Sequence, residues 1–76
     1  MHINATYMPT KENIRRVKQA YKVDGCDNDR QKFIMGQAAD LSFKLLEECP
    51  PGLELDIALT RIEEAVCWAF DSMRTD

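Results

Sequence analysis

The sequence predicts an all-α protein: a short basic N-terminal helix followed by a long antiparallel helical hairpin that assembles into oligomers. Two long segments carry apolar residues at heptad spacing, and the segment Pro50–Gly52 separates them. The chain has 76 residues and is predicted to form a single domain over 1–76. A domain this small buries only about 60% of its unfolded surface, so we expect self-association to supply further burial.

The first helix is predicted over residues 11–22, after an arm at 1–9 without helical periodicity. Thr10 fits the N-cap position, and the next segment, Val23–Asp29, is rich in turn and capping residues, with Asp27 or Asn28 suited to cap a second helix. That segment lacks the ligand pattern of an EF-hand calcium loop. The apolar face of the first helix carries Ile14, Val17 and Tyr21, and its other face carries most of the basic residues Lys11, Arg15, Arg16, Lys18 and Lys22.

The hairpin helices are predicted over 29–49 and 53–74. The prolines end the first of them and leave a short connection, so the second must return antiparallel. The predicted seam consists of Ile34, Ala38, Leu41 and Leu45 on one helix and of Leu55, Leu59, Ile62, Val66, Ala69 and Met73 on the other. The apolar residues left outside it, which favour oligomerisation, are Phe33, Phe43, Leu46, Leu53, Trp68 and Phe70.

Several function classes are disfavoured by composition. The three cysteines, Cys26, Cys49 and Cys67, show no paired spacing, and His2 is the sole histidine, so we expect neither a disulfide framework nor a bound metal or other cofactor. With His2 as the sole imidazole and no GxSxG nucleophile elbow, we expect no catalysis through histidine or an activated serine. Because no run of 18 apolar residues occurs, we expect a soluble cytoplasmic protein that does not bind membranes.

A magnesium-dependent nucleotide hydrolase is a weaker alternative. Its metal would need the acidic residues of the hairpin to converge, but folding about Pro51 separates them, and they lack a repeated Glu-x-x-Glu spacing. We therefore interpret them as a solvated acidic face. These residues are Asp40, Glu47, Glu48, Glu63 and Glu64.

Ligand binding requires only cations that neutralise phosphate and flat rings on which bases stack. Tyr7 precedes the basic helix, Tyr21 closes it, and Lys18 lies one turn before Lys22. Two alternatives stay open: Tyr21 packs in the core beside Val17, and the basic residues form an ordinary solvated face or dock on the acidic hairpin.

Residues 58–69, ALTRIEEAVCWA, resemble the helical-hairpin family of phage proteins that counter CBASS and Thoeris immunity. Leu59-Thr60-Arg61, Ile62-Glu63-Glu64-Ala65 and Trp68-Ala69 carry the resemblance, which extends over roughly 33–74. It implies a non-enzymatic sponge, typically hexameric, that sequesters cyclic nucleotide or cyclic ADP-ribose signals in the host cytoplasm without cleaving them.

The resemblance also implies a tyrosine and a basic residue that grip a cyclic dinucleotide at a subunit interface. Either Tyr7 acts with Lys22, or Tyr21 acts with Lys32, since the matching helical position falls near Gly36, which has no side chain. For cyclic trinucleotides or cyclic ADP-ribose relatives, Arg61 and Arg74 are the candidate phosphate ligands. The alternative function is a small protein-interaction or regulatory module that touches nucleic acid through its basic helix.

Overall fold

The computed structural model describes residues 7–74, which form three helices and one 3-10 turn. The helices are α1 (Lys11–Ala20), α2 (Asp29–Glu48) and α3 (Leu53–Arg74), and the turn spans Val23–Gly25. The prediction of an all-helical protein is confirmed. His2 and most of the predicted arm at 1–9 lie outside the described residues.

The predicted first helix was two residues too long. Tyr21 leaves the helical conformation with φ of −120° and ψ of 43°, although its N–H still donates to the carbonyl of Val17 at 3.3 Å. The chain changes direction here, and the 3-10 turn begins two residues later, at Val23. The second helix likewise ends at Glu48, one residue earlier than predicted.

Side-chain caps fix where the first two helices begin. The Thr10 hydroxyl accepts a hydrogen bond from the N–H of Asn13 at 3.0 Å. The Asn28 side chain, rather than that of Asp27, accepts from the N–H of Gln31 at 2.9 Å. Each cap satisfies a backbone donor that has no partner within the helix, so the sequence determines both starting points.

The ends of α2 and α3 lie beside each other. Met73 of α3 lines one hollow together with Asp29 and Phe33 of α2, so the end of α3 lies beside the start of α2. At the opposite end, Gly52 adopts a φ of 158° in the connection between the helices. The backbone N–H of Tyr7 donates to the carbonyl of Glu47 at 3.3 Å, which brings the segment before α1 to the end of α2.

The core lies where all three helices meet, and its position corrects part of the predicted seam. Leu46, which we had left outside the seam, is 1% exposed, whereas the predicted seam residue Leu41 is 49% exposed. The difference arises because α1 packs on α2, so the side of α2 that faces α1 is buried in place of the side that carries Leu41. The buried apolar residues are Val17, Tyr21, Ala38, Leu46, Leu55, Leu59 and Val66.

None of the helices within residues 7–74 is both long enough and apolar enough to cross a lipid bilayer.

Candidate functional site

The side chain of Arg16 joins α1 to α3 through polar contacts. Its Nε donates to Glu63 Oε2 at 3.1 Å, and its Nη2 donates to the Thr60 hydroxyl at 2.8 Å. Its Nη1 lies 3.9 Å from Asp56 Oδ1. The Thr60 hydroxyl in turn donates to the carbonyl of Asp56 at 2.9 Å. Arg16 is therefore a structural residue that anchors α1.

The other cations of α1 and its following turn are exposed. They do not share the inward direction of Arg16, so they present positive charge to solvent on the outer side of α1. Among them are two predicted ligand-binding residues, Lys18 and Lys22, together with Lys11 and Arg15.

Tyr21, predicted as a possible stacking residue, is buried in the core. Burial raises the pKa of Tyr21 above its usual value of 10.0, and the nearby Ser42 hydroxyl partly opposes that increase. The two hydroxyls lie close together, but within the described residues neither forms a hydrogen bond of good geometry. In this conformation the ring of Tyr21 packs against the protein and is not open to a nucleotide base.

Tyr7 and Lys22, one of the two predicted pairs, stand on either side of α1. Tyr7 precedes α1 and Lys22 follows it, so the 10 residues of that helix lie between them in the chain. Lys32 is exposed near the start of α2 and does not meet Tyr21 in a common pocket.

The two candidate arginines of α3 are exposed and engage acids on their own helix. Arg61 donates to Glu64 at 2.9 Å, and Arg74 donates to Asp71. Each pair is spaced by three residues on the helix surface, where such contacts contribute only a few tenths of a kcal/mol. A phosphate group could replace either acid at little energetic cost.

The acidic residues do not form a metal site in the part of the chain that the structure describes. No group of three or more His, Cys, Asp or Glu side chains converges there. Glu63 is held by Arg16 and Glu64 by Arg61.

An apolar groove, which we call the open face, lies between α2 and α3, and six of its eight lining residues belong to the predicted seam. Two of its residues, Ile34 and Ile62, each precede by one position a residue that lines the hollow beside Ala20 and Tyr21. Val66 lines both, so the open face adjoins that hollow. The open face is lined by Ile34, Gln37, Ala38, Leu41, Ile62, Ala65, Val66 and Ala69.

Trp68 lies next to the open face and is 73% exposed, although it belongs to the segment that carries the family resemblance. Seven residues separate it from Arg61, so the two side chains lie on the same side of α3, two turns and about 10 Å apart. Ala65 and Glu64 lie between them, and the Glu64 carboxylate accepts a hydrogen bond from Arg61. An exposed indole on the same side of a helix as a guanidinium is a signal that the sequence contains, although the heptad pattern assigned Trp68 to packing.

Comparison with family models, with curated proteins and with solved structures gives no match to this chain.

Proposed function

We propose that this protein is a non-catalytic sponge that binds a cyclic nucleotide or cyclic ADP-ribose-type signal and holds it intact. The observation that carries the proposal is the shared exposure of Arg61 and Trp68 on one side of α3. A guanidinium binds phosphate oxygens, and an indole offers a flat face to a base. The resemblance of residues 58–69 to phage anti-defence proteins specifies the ligand class and implies action in the host cytoplasm.

Assembly is part of the proposal. In it, α2 and α3 form an antiparallel hairpin, and several such hairpins associate, as a hexamer by resemblance. By resemblance the ligand site lies between chains, with Tyr7 and Lys22 on either side of α1. Lys18, Lys32 and Arg74 remain exposed and are available as further phosphate ligands at such a boundary.

Sequestration requires no reacting group, because affinity and stoichiometry alone lower the free signal concentration. The cations neutralise the phosphates, aromatic stacking holds the bases, and the ligand leaves chemically unchanged. The protein must then be present in amounts comparable to those of the signal.

The test is native mass spectrometry and calorimetry of the full chain with cyclic di- and trinucleotides and cyclic ADP-ribose isomers. We expect one member of the panel to bind at micromolar concentration or below and to be recovered intact. Arg61→Ala and Trp68→Ala should each weaken binding at least tenfold, while Lys11→Ala, on the exposed side of α1, should have little effect. The proposal fails if the folded protein binds none of these ligands, or if it cleaves them.

The four exposed cations at Lys11, Arg15, Lys18 and Lys22 favour a second candidate function. In that candidate, the outer side of α1 contacts nucleic acid and the protein acts as a regulatory or interaction module. Duplex DNA affinity would then fall steeply with added salt, because several phosphates release counterions on binding. Substitution of Lys18 and Lys22 by Gln would reduce the steepness of that dependence.

A further inference from the structure

We infer that the hollow at the end of α1 binds a small uncharged aromatic molecule that carries one hydroxyl group. This hollow, which we call the inner hollow, has a volume of about 260 Å³ and is lined by Ala20 and Tyr21, by Met35 of α2 and by Glu63 and Cys67 of α3, among others. It is distinct from the side of α3 that carries the proposed phosphate ligand Arg61. The inference therefore does not depend on the proposed function.

The walls of the inner hollow are mostly apolar. Ala20, Met35, Val66 and Phe70 contribute to them, and both Met35 and Phe70 are half-buried. A thioether and an aromatic ring each form favourable contacts with another aromatic ring. A cavity of about 150 Å³ is enough to bind benzene. The inner hollow therefore has room for a benzene ring with small substituents.

Two buried hydroxyl groups without hydrogen-bond partners lie beside these walls. Tyr21 is 8% exposed and Ser42 is 0% exposed, and neither oxygen has a partner within the described residues. The Tyr21 hydroxyl interacts electrostatically with Glu63 and Cys67, so its polar end lies toward two residues that line the hollow. A hydrogen bond between the two hydroxyls would use one proton and leave the other without an acceptor. Because an unpaired buried donor costs free energy, a ligand that supplies an acceptor is favoured.

The charge of the lining favours a neutral ligand. The Glu63 carboxylate already accepts a hydrogen bond from Arg16 at 3.1 Å, so it does not require a cation from the ligand. No lysine or arginine lines the inner hollow in the part of the chain that the structure describes, so a phosphate would meet Glu63 without a cation of its own. A hydroxyl group fits both neighbours, because it accepts from Tyr21 or Ser42 and donates to Glu63.

Met35 is the side chain best suited to admit the ligand. The two hydroxyl oxygens are shielded from solvent, so a ligand reaches them only when a lining side chain moves. Met35 is unbranched and has three rotatable bonds, which let it adapt to a new neighbour. Its methyl group therefore reports binding in an NMR spectrum. Met73 lines a different hollow, together with Asp29 and Phe33, and is the internal control.

The test uses two matched ligands on the full chain, para-ethylphenol and ethylbenzene, which differ only by the hydroxyl group. We expect para-ethylphenol to bind and to shift the methyl signal of Met35. Ethylbenzene should bind about fivefold more weakly, as expected for one lost hydrogen bond, and the para-ethylbenzoate anion should bind more weakly than para-ethylphenol. Tyr21→Phe should remove most of the preference for the hydroxyl. Tyr7→Phe, which removes a tyrosine hydroxyl outside the hollow, should keep it.

Four results would overturn the inference. They are no binding of para-ethylphenol in the millimolar range, equal affinities of the wild type for para-ethylphenol and ethylbenzene, a preference for the anion, and shifts at Met73 without shifts at Met35. The comparison of ligands on the wild type decides the question even if Tyr21→Phe unfolds, which circular dichroism detects. The proposed function fails separately, because binding of cyclic nucleotides is tested by Arg61→Ala and Trp68→Ala, both outside the inner hollow.

Discussion

The Arg16 guanidinium and the Glu63 carboxylate lie 3.1 Å apart and connect α1 to α3. Their side chains are 31% and 33% exposed, so solvent screens the pair only in part. The contact explains why one cation of the basic helix turns inward while its neighbours remain in water. It also makes α1 part of the folded unit instead of a flexible extension.

Replacing Arg16 should destabilise the protein more than replacing Arg15. We expect Arg16→Ala to lower the free energy of unfolding by about 1–2 kcal/mol, since it removes charged hydrogen bonds to Glu63 and Thr60. Arg15→Ala, at an exposed position, should change it by less than about 0.5 kcal/mol. Urea denaturation measures both. Equal losses for the two variants would contradict the anchoring role of Arg16.

Alkaline pH should destabilise the protein in part through Tyr21. Its pKa in the folded state is raised by burial, so the unfolded chain releases this proton at lower pH than the folded chain. The associated stability is complete below the unfolded pKa of about 10 and is lost as pH rises through the folded pKa. Tyr21→Phe should lose less stability than wild type between pH 8 and pH 11 in chemical denaturation. Tyr7→Phe is the control, and it should follow the wild type.

Two glycines should respond in opposite directions to substitution by alanine. Gly36 lies inside α2, and a Cβ there would meet nothing within 4 Å, so Gly36→Ala should stabilise by about 0.5–1 kcal/mol. Gly52 has a φ of 158°, which side chains rarely adopt, so Gly52→Ala should destabilise by about 1 kcal/mol or more. Thermal and urea unfolding give both values. A destabilised Gly36→Ala protein would mean that another chain packs closely at that position.

Substitutions at Trp68 and at Leu59, both in the segment that carries the resemblance, should distinguish an effect on binding from an effect on folding. Trp68 is mostly exposed, so Trp68→Ala should change the free energy of unfolding of the isolated chain by no more than about 0.5 kcal/mol. Leu59 is 1% exposed, and Leu59→Ala should cost about 2–5 kcal/mol. Denaturation at low protein concentration makes the comparison. A large loss at Trp68 would show that its ring contributes to the fold of one chain.

The helices could be predicted from the sequence because their determinants are local. Thr10 and Asn28 accept hydrogen bonds from the first turns, and the prolines after Cys49 prevent α2 from continuing. These signals depend on neighbours within a few residues. They are therefore visible without knowledge of how the helices pack.

The packing of α2 could not be predicted in the same way, because two of its buried residues are polar. Gln31 is buried while its Oε1 accepts from the N–H of Asp27 at 2.7 Å, and Ser42 is buried beside Tyr21. A heptad analysis counts apolar residues and so centred the buried face on Leu41 instead of Ser42. The candidate site could not be predicted for a related reason, because the heptad pattern treats Trp68 as an apolar residue that packs against a partner. The direction of the Arg16 side chain depends on contacts with Thr60 and Glu63, 44 and 47 residues away in the chain.

Because α1 is short, we expect it to open before the rest of the protein unfolds. A helix of ten residues is too short to persist alone in water, so its hydrogen bonds survive only while Val17 and Arg16 remain docked. By contrast, α2 and α3 are joined by a short connection and pack on each other, so we expect them to keep these contacts when α1 leaves. Amide protons of α1 should therefore exchange with solvent earlier than those of α3, through a partial opening that precedes global unfolding. We expect each such opening to expose Leu46 and Ser42 to water and to leave α2 and α3 packed only on each other.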